Sequence, residues 1–106
     1  MQQQEGKKMI DSVLDKEREK AFNLKINCEK RLAELPKGTL TIREVKGNKY
    51  CYYRYREGQK IRTVYAGPAR NQEQYESQIA ERERIIEQIK ALEYEIKRID
   101  AMKTIR

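Results

Sequence analysis

A chain of 106 residues with 24 Lys/Arg, 17 Asp/Glu and a net charge of +7 has room for one domain and one modest core. Its charged fraction of 39% stands well above the roughly one quarter of an average domain, which points away from a thick globule and toward long solvated helices. With no His, and with Cys28 and Cys51 lying 23 residues apart outside any CxxC motif, neither a metal site nor a cofactor is expected.

Taken in chain order, the N-terminal "MQQQEGKKMIDSVLDKE" lacks the apolar core of a signal peptide, and no run is long enough to span a bilayer; a cytoplasmic protein without membrane contact is expected. The first third predicts a helix over about residues 5–35. Ile10, Leu14, Ala21, Leu24 and Cys28 recur at three- and four-residue steps, with Glu17 interrupting the stripe, and Leu32 and Leu35 extend it to Pro36, which ends it. From Pro36 to Pro68 the period changes to two and aromatic and β-branched residues take over. This predicts a β-meander over about 39–66, with strands at Thr39 to Val45, Lys49 to Arg56 and Lys60 to Ala66. A second helix is expected over about 71–104. Its stripe of Ile85, Ile89, Leu92, Ile96 and Ile99 is broadened by Ile86 and Met102 and preceded by Tyr75 and Ile79. The expected fold is a single α+β domain of order α-β-β-β-α. Its helices would pack as an antiparallel hairpin or as a dimeric bundle, with the isoleucine stripe as the interface of a homodimer.

Charge is not evenly spread. Residues 1–35 sum to +1 and residues 71–106 to −1, so the middle segment, 36–70, carries the whole +7, with Glu44 and Glu57 its only acids. Four tyrosines fall in the eight positions Lys49 to Arg56. A two-residue loop at Gly47-Asn48 pairs Arg43 with Tyr52; a three-residue loop at Glu57 to Gln59 pairs Arg54 with Arg62 and Arg56 with Lys60. In that register one face holds Leu40, Ile42, Cys51, Tyr53, Tyr55, Ile61, Thr63 and Tyr65, of which Tyr53 and Tyr55 are expected as core, packing on the start of the second helix near Tyr75 and Ile79. The other face holds Arg43, Tyr50, Tyr52, Arg54, Arg56, Lys60, Arg62 and Val64. A two-residue second loop would mix cations into the apolar face. Like charges opposed across a sheet are destabilising by about 0.2–1 kcal/mol a pair, and a bound polyanion would relieve them.

The run "LPKGTL…KGNKYCYYRYREGQKIRTVYAG", about residues 35 to 67, resembles a family of small, uncharacterised bacterial and archaeal proteins. Their pattern is L-P-K-G-S/T-L, a tyrosine-rich strand, Y-R-E-G-x-K-V/I and a closing Y-x-G before a charged helix. The resemblance implies the meander-plus-helix fold and carries no activity. A looser likeness links strand order, the "YRYREGQKIR" hairpin and the trailing helix to the arm-binding domain of tyrosine recombinases. That likeness implies a sheet face laid into a DNA groove.

Two functions follow as expectations. The first is nucleic-acid binding, to DNA more than to RNA and to duplex DNA above all, in a regulatory or mobile-element accessory role. Lys60, Arg43 and Arg62 would hold phosphates, Arg54 and Arg56 would reach base edges, and Tyr50 and Tyr52 would bond phosphate or stack on bases. That contact requires the cations to share one outward face. Divided between both faces, or tied to acids, they would offer none. The second is a helical protein–protein interaction module, such as an antitoxin-like partner, a phage-encoded inhibitor or an assembly adaptor, with the sheet as a cap. An enzyme is not expected: there is no histidine base, the cysteines lack a histidine partner, and the glycines sit in turns.

Overall fold

A computed structural model describes residues 2–104, with side chains placed from Ile10 to Lys103. The element order is α1 (Gln2–Glu34), β1 (Thr39–Val45), β2 (Asn48–Glu57), β3 (Lys60–Pro68), a 3-10 turn (Ala69–Asn71) and α2 (Gln72–Thr104). This is the α-β-β-β-α fold expected from the sequence. The described chain gathers into two compact units: the helical segments up to Arg31 and from Ile86 onward, and the stretch Leu32–Ile85.

In the helical unit α1 and α2 run antiparallel. Asp15 meets Lys103, Arg18 meets Asp100 at 2.8 Å and Lys25 meets Glu93 at 3.7 Å, so partners descend α2 as they climb α1. The inward seam of α1 differs from the predicted stripe. Ile10 and Leu24 are 61% and 42% exposed, while Leu14, Arg18, Ala21, Lys25 and Cys28 turn inward. Arg18 and Lys25 fit there because their aliphatic stems cover the seam while their charged heads reach the carboxylates of α2. On α2, Ile89, Leu92 and Ile96 are half-buried and Ile99 is only 2% exposed. Within the helical unit these ion pairs make the hairpin alternative of the sequence reading, and the stripe is most deeply buried at Ile99.

The second unit holds a three-stranded antiparallel sheet of order β1-β2-β3. α1 stops where Pro36 cannot continue it, and Leu35, just before, is buried. At this helix end the Leu32 carbonyl accepts both from the Leu35 N–H and from the Arg82 guanidinium of α2, each at 3.2 Å. The core is Cys51, with no exposed surface, and Tyr53 and Tyr75, with Leu40, Ala66, Ala69 and Ile79 around them. The Tyr53 and Tyr75 rings meet edge to face at 6.1 Å, as expected from the sequence. Tyr55, expected beside them, is half-buried. In β3, Cys51 opposes Gly67 and Tyr52 opposes Tyr65, so Ala66 is the extra residue of a bulge.

Both hairpin loops have two residues. Val45 pairs with Asn48 across Lys46-Gly47, and Glu57 pairs with Lys60 across Gly58-Gln59. Lys46 and Gly47 both have positive φ, 53° and 81°, which makes the first turn type I′. Gly58 alone is positive in the second, at 63°, which is the type II′ pattern. These are the turns whose own twist matches that of the strands they join. Lysine is a poor choice for a left-handed position, so Lys46→Asn is expected to stabilise the fold by about 0.5–1 kcal/mol. Urea unfolding midpoints check this, and a loss of stability would put the turn elsewhere.

Candidate nucleic-acid interface

The two turns fix which side chains share a face, and they overturn part of the sequence register. In the first hairpin Arg43 opposes Tyr50 rather than Tyr52. The slip is two residues on the partner strand, so the faces of β1 and β2 stay as expected. In the second hairpin the slip is one residue: Arg54 opposes Thr63, Arg56 opposes Ile61 and Tyr55 opposes Arg62. Because side chains alternate, one residue flips the whole of β3. Lys60, Arg62 and Val64 therefore leave the arginine face, and Ile61, Thr63 and Tyr65, expected on the apolar face, join it. The expected opposition of Arg54 to Arg62 and of Arg56 to Lys60 does not occur, and with it goes the inference of like-charge repulsion. Lys60 and Arg62 sit beside acid instead. The Arg62 guanidinium is 3.3 Å from the Glu57 carboxylate.

What remains on the outward face is smaller and chemically cleaner. β1 contributes Thr39, Thr41, Arg43 and Val45; β2 contributes Asn48, Tyr50, Tyr52, Arg54 and Arg56; β3 contributes Ile61, Thr63 and Tyr65. No carboxylate stands among them, since the same alternation sends both Glu44 and Glu57 to the other face. Among the described residues none of Arg43, Arg54 and Arg56 is ion-paired, and all three are exposed. Of the seven residues assigned to binding from the sequence, the structure gathers Arg43, Tyr50, Tyr52, Arg54 and Arg56 and separates Lys60 and Arg62, so the five cations are divided between both faces and the seven-residue contact expected from the sequence fails; only the smaller set with Arg43, Arg54 and Arg56 meets the condition of one shared face free of acids.

Tyr65 completes the group. Its ring lies 5.4 Å from that of Tyr52 and 6.2 Å from that of Tyr50, tilted 58° to each. It is 55% exposed. The Arg43 guanidinium sits over the Tyr52 ring at 5.2 Å, a cation–π contact that holds a charge against the aromatic cluster. Val45, Tyr50, Tyr52 and Tyr65 line a shallow groove at this end of the sheet, with Arg54 and Arg56 farther along β2. The Thr41 hydroxyl donates to the Tyr52 carbonyl at 3.3 Å, tying β1 to β2 beneath the groove. The sequence puts Tyr65 on the apolar face because a three-residue second loop separates charge cleanly. Gly58 at the first position of a two-residue loop was the signal that could have found it.

The other face is sealed at its centre. Burial pushes the Tyr53 phenol above its ordinary value of 10.0, with Tyr75 and Cys51 adding to the shift, and its hydroxyl bonds to the Gln78 side-chain oxygen at 3.3 Å. The folded state thus holds the Tyr53 proton more tightly than the unfolded chain does. Stability is full below about pH 10 and falls as pH climbs through the raised value. Tyr53→Phe is expected to flatten this alkaline decline in pH-dependent urea unfolding, at a cost near neutrality of about 1 kcal/mol for the lost hydrogen bond. A decline equally steep in the variant would exclude Tyr53 as its source.

Among the described residues no group of three or more His, Cys, Asp or Glu could hold a metal ion, and no helix is long and apolar enough to cross a membrane. No curated protein and no solved structure is significantly similar to the chain. A family model described as a domain of unknown function (DUF6788) matches residues 15–76, a span that takes in most of α1, the entire sheet with both glycine-bearing turns, and the start of α2 as far as Tyr75; the chain belongs to that family.

Proposed function

We propose that the protein binds nucleic acid through the outward face of the sheet, with Arg43, Arg54 and Arg56 on phosphates and Tyr50, Tyr52 and Tyr65 on the rest of the nucleotide. The observation that carries this reading is the sorting of charge. Both acids of the basic segment lie on the opposite face, which leaves three exposed arginines around three touching tyrosines. An ordinary solvated face mixes signs, and cations interleaved with aromatics match what a nucleotide offers. Cys51, Tyr53 and Tyr75 support the opposite side of β2, which gives the surface a firm base.

The test sets one face against the other. Anisotropy of labelled random-sequence oligonucleotides is measured across salt for the wild type, for Arg43→Ala/Arg54→Ala/Arg56→Ala, and for Lys60→Ala/Arg62→Ala. The triple variant is expected to lose affinity by tenfold or more. The opposite-face variant is expected to stay within about threefold of wild type. With three phosphates neutralised, the log–log salt slope should be about −2 on a single strand and nearer −3 on a duplex. Undetectable binding at low salt, a flat salt response, or greater loss in the Lys60/Arg62 variant would each end the proposal.

A further inference from the structure

We infer that the target of this face is an unpaired strand whose bases stack on the Tyr50–Tyr52–Tyr65 cluster, not the groove of a duplex. The inference rests on the nucleic-acid reading above and narrows it to a substrate class.

Two observations carry it. The first is the count of cations left after the second turn sets the register. Affinity for a duplex held mainly by charge grows with the number of phosphates neutralised, and this face offers only three arginines. The other cations of β3 point away, one of them held by Glu57. The second is the aromatic cluster. Tyr65 contacts both Tyr50 and Tyr52 yet remains 55% exposed, so its ring presents broad surface to solvent beside Val45, itself 48% exposed, while the half-buried Tyr50 and Tyr52 back it. A duplex hides the faces of its bases inside its own stack and has no flat partner to give such rings. A single strand does. Base–aromatic stacking is sequence-tolerant because every base has a π-face, and arginines alongside follow the backbone. The arrangement fits: Arg43 lies against Tyr52 within the cluster, and Arg54 and Arg56 continue along the strand of Tyr52.

The test uses the full chain. Oligo(dT), oligo(U), a hairpin duplex of matched length and inorganic polyphosphate are titrated by competition against one labelled oligonucleotide. The proteins are the wild type, Tyr65→Ala, Tyr50→Ala, Tyr65→Phe and the three-arginine variant. Circular dichroism melting confirms that each variant folds. Tyrosine emission gives a direct signal, because the chain has seven Tyr and no Trp. Expected are at least tenfold preference for the single strands over the duplex, weak binding of polyphosphate, and quenching of tyrosine emission by the strands. Each Tyr→Ala change should weaken binding roughly five- to hundredfold, while Tyr65→Phe, which keeps the ring, stays near wild type. A comparison of oligo(dT) with oligo(U) then reads whether the 2′-hydroxyl matters. Equal or tighter duplex binding, or Tyr→Ala variants that bind as wild type while the arginine variant fails, would overturn the stacking inference and leave the nucleic-acid reading standing. No binding to any oligonucleotide would overturn both.

Discussion

Gly38→Ala is expected to be the most damaging single-methyl change in the chain, costing about 2–5 kcal/mol. Gly38 has φ of +97°, and a Cβ built on it would overlap the Arg54 carbonyl oxygen and lie 2.7 Å from the Arg54 carbonyl carbon. Two costs combine. The left-handed backbone is worth about 1–2 kcal/mol against an L side chain. The collision with the backbone of the central strand adds the cost of an overpacked core, about 1–3 kcal/mol, because no side chain can swing aside to relieve it. A domain of this size has total stability of order 5–15 kcal/mol, so the variant is expected to sit near its folding threshold at 37 °C. Thermal melting by circular dichroism, with Gly47→Ala as a control, checks this. A Cβ at Gly47 meets nothing within 4 Å, so that variant carries only the backbone cost. Equal losses in the two would show that the close approach to Arg54 is absent. The same geometry explains the "LPKG" run: Pro36 ends the helix, and two residues later the chain passes so near β2 that only glycine fits.

Gly67→Ala is expected to cost about 2–4 kcal/mol and, unlike Gly38→Ala, to be partly rescued by a second change. Gly67 is buried, with φ of +150°, and a Cβ there would overlap the Tyr75 hydroxyl oxygen and stand 3.0 Å from Cζ. Tyr75 is one of the three core residues, so pushing its ring outward also loosens its packing on Tyr53. Removing the hydroxyl takes away the worst overlap. In a double-mutant cycle Tyr75→Phe should recover about 1 kcal/mol or more of the Gly67→Ala loss, and the backbone cost should remain. Strict additivity would mean that the two residues do not meet. The "YAG" that closes β3 is thus a packing requirement: the glycine makes room for the first aromatic of α2.

Much of this was legible in the residues. Pro36 marks the end of the first helix, β1 was predicted with its observed bounds, and the other elements came within a few positions, because a change of period from 3.6 to 2 is written locally. The concentration of positive charge in the middle third was equally plain. The helix seam and the candidate site are less legible, and three residues show why. Arg18 and Lys25 look like solvent positions and were passed over for Ile10 and Leu24. They lie in the helix seam because Asp100 and Glu93, far along the chain, meet their charged ends. Tyr65 falls on the apolar face only if the second loop is one residue longer than the observed turn.

By itself the amino-acid order determined the five main elements, their approximate bounds, and the alternation that divides each strand into two sets of side chains. Only the tertiary structure decided how the sets of neighbouring strands are matched, since that phase is set by turn geometry and a single residue inverts it. The type II′ turn at Gly58-Gln59 sent Lys60 and Arg62 to the side of both acids and brought Tyr65 to the side of Arg43, Arg54 and Arg56. The physical reason is that a strand's period names which residues go together, while the hydrogen-bonded turn determines what they face.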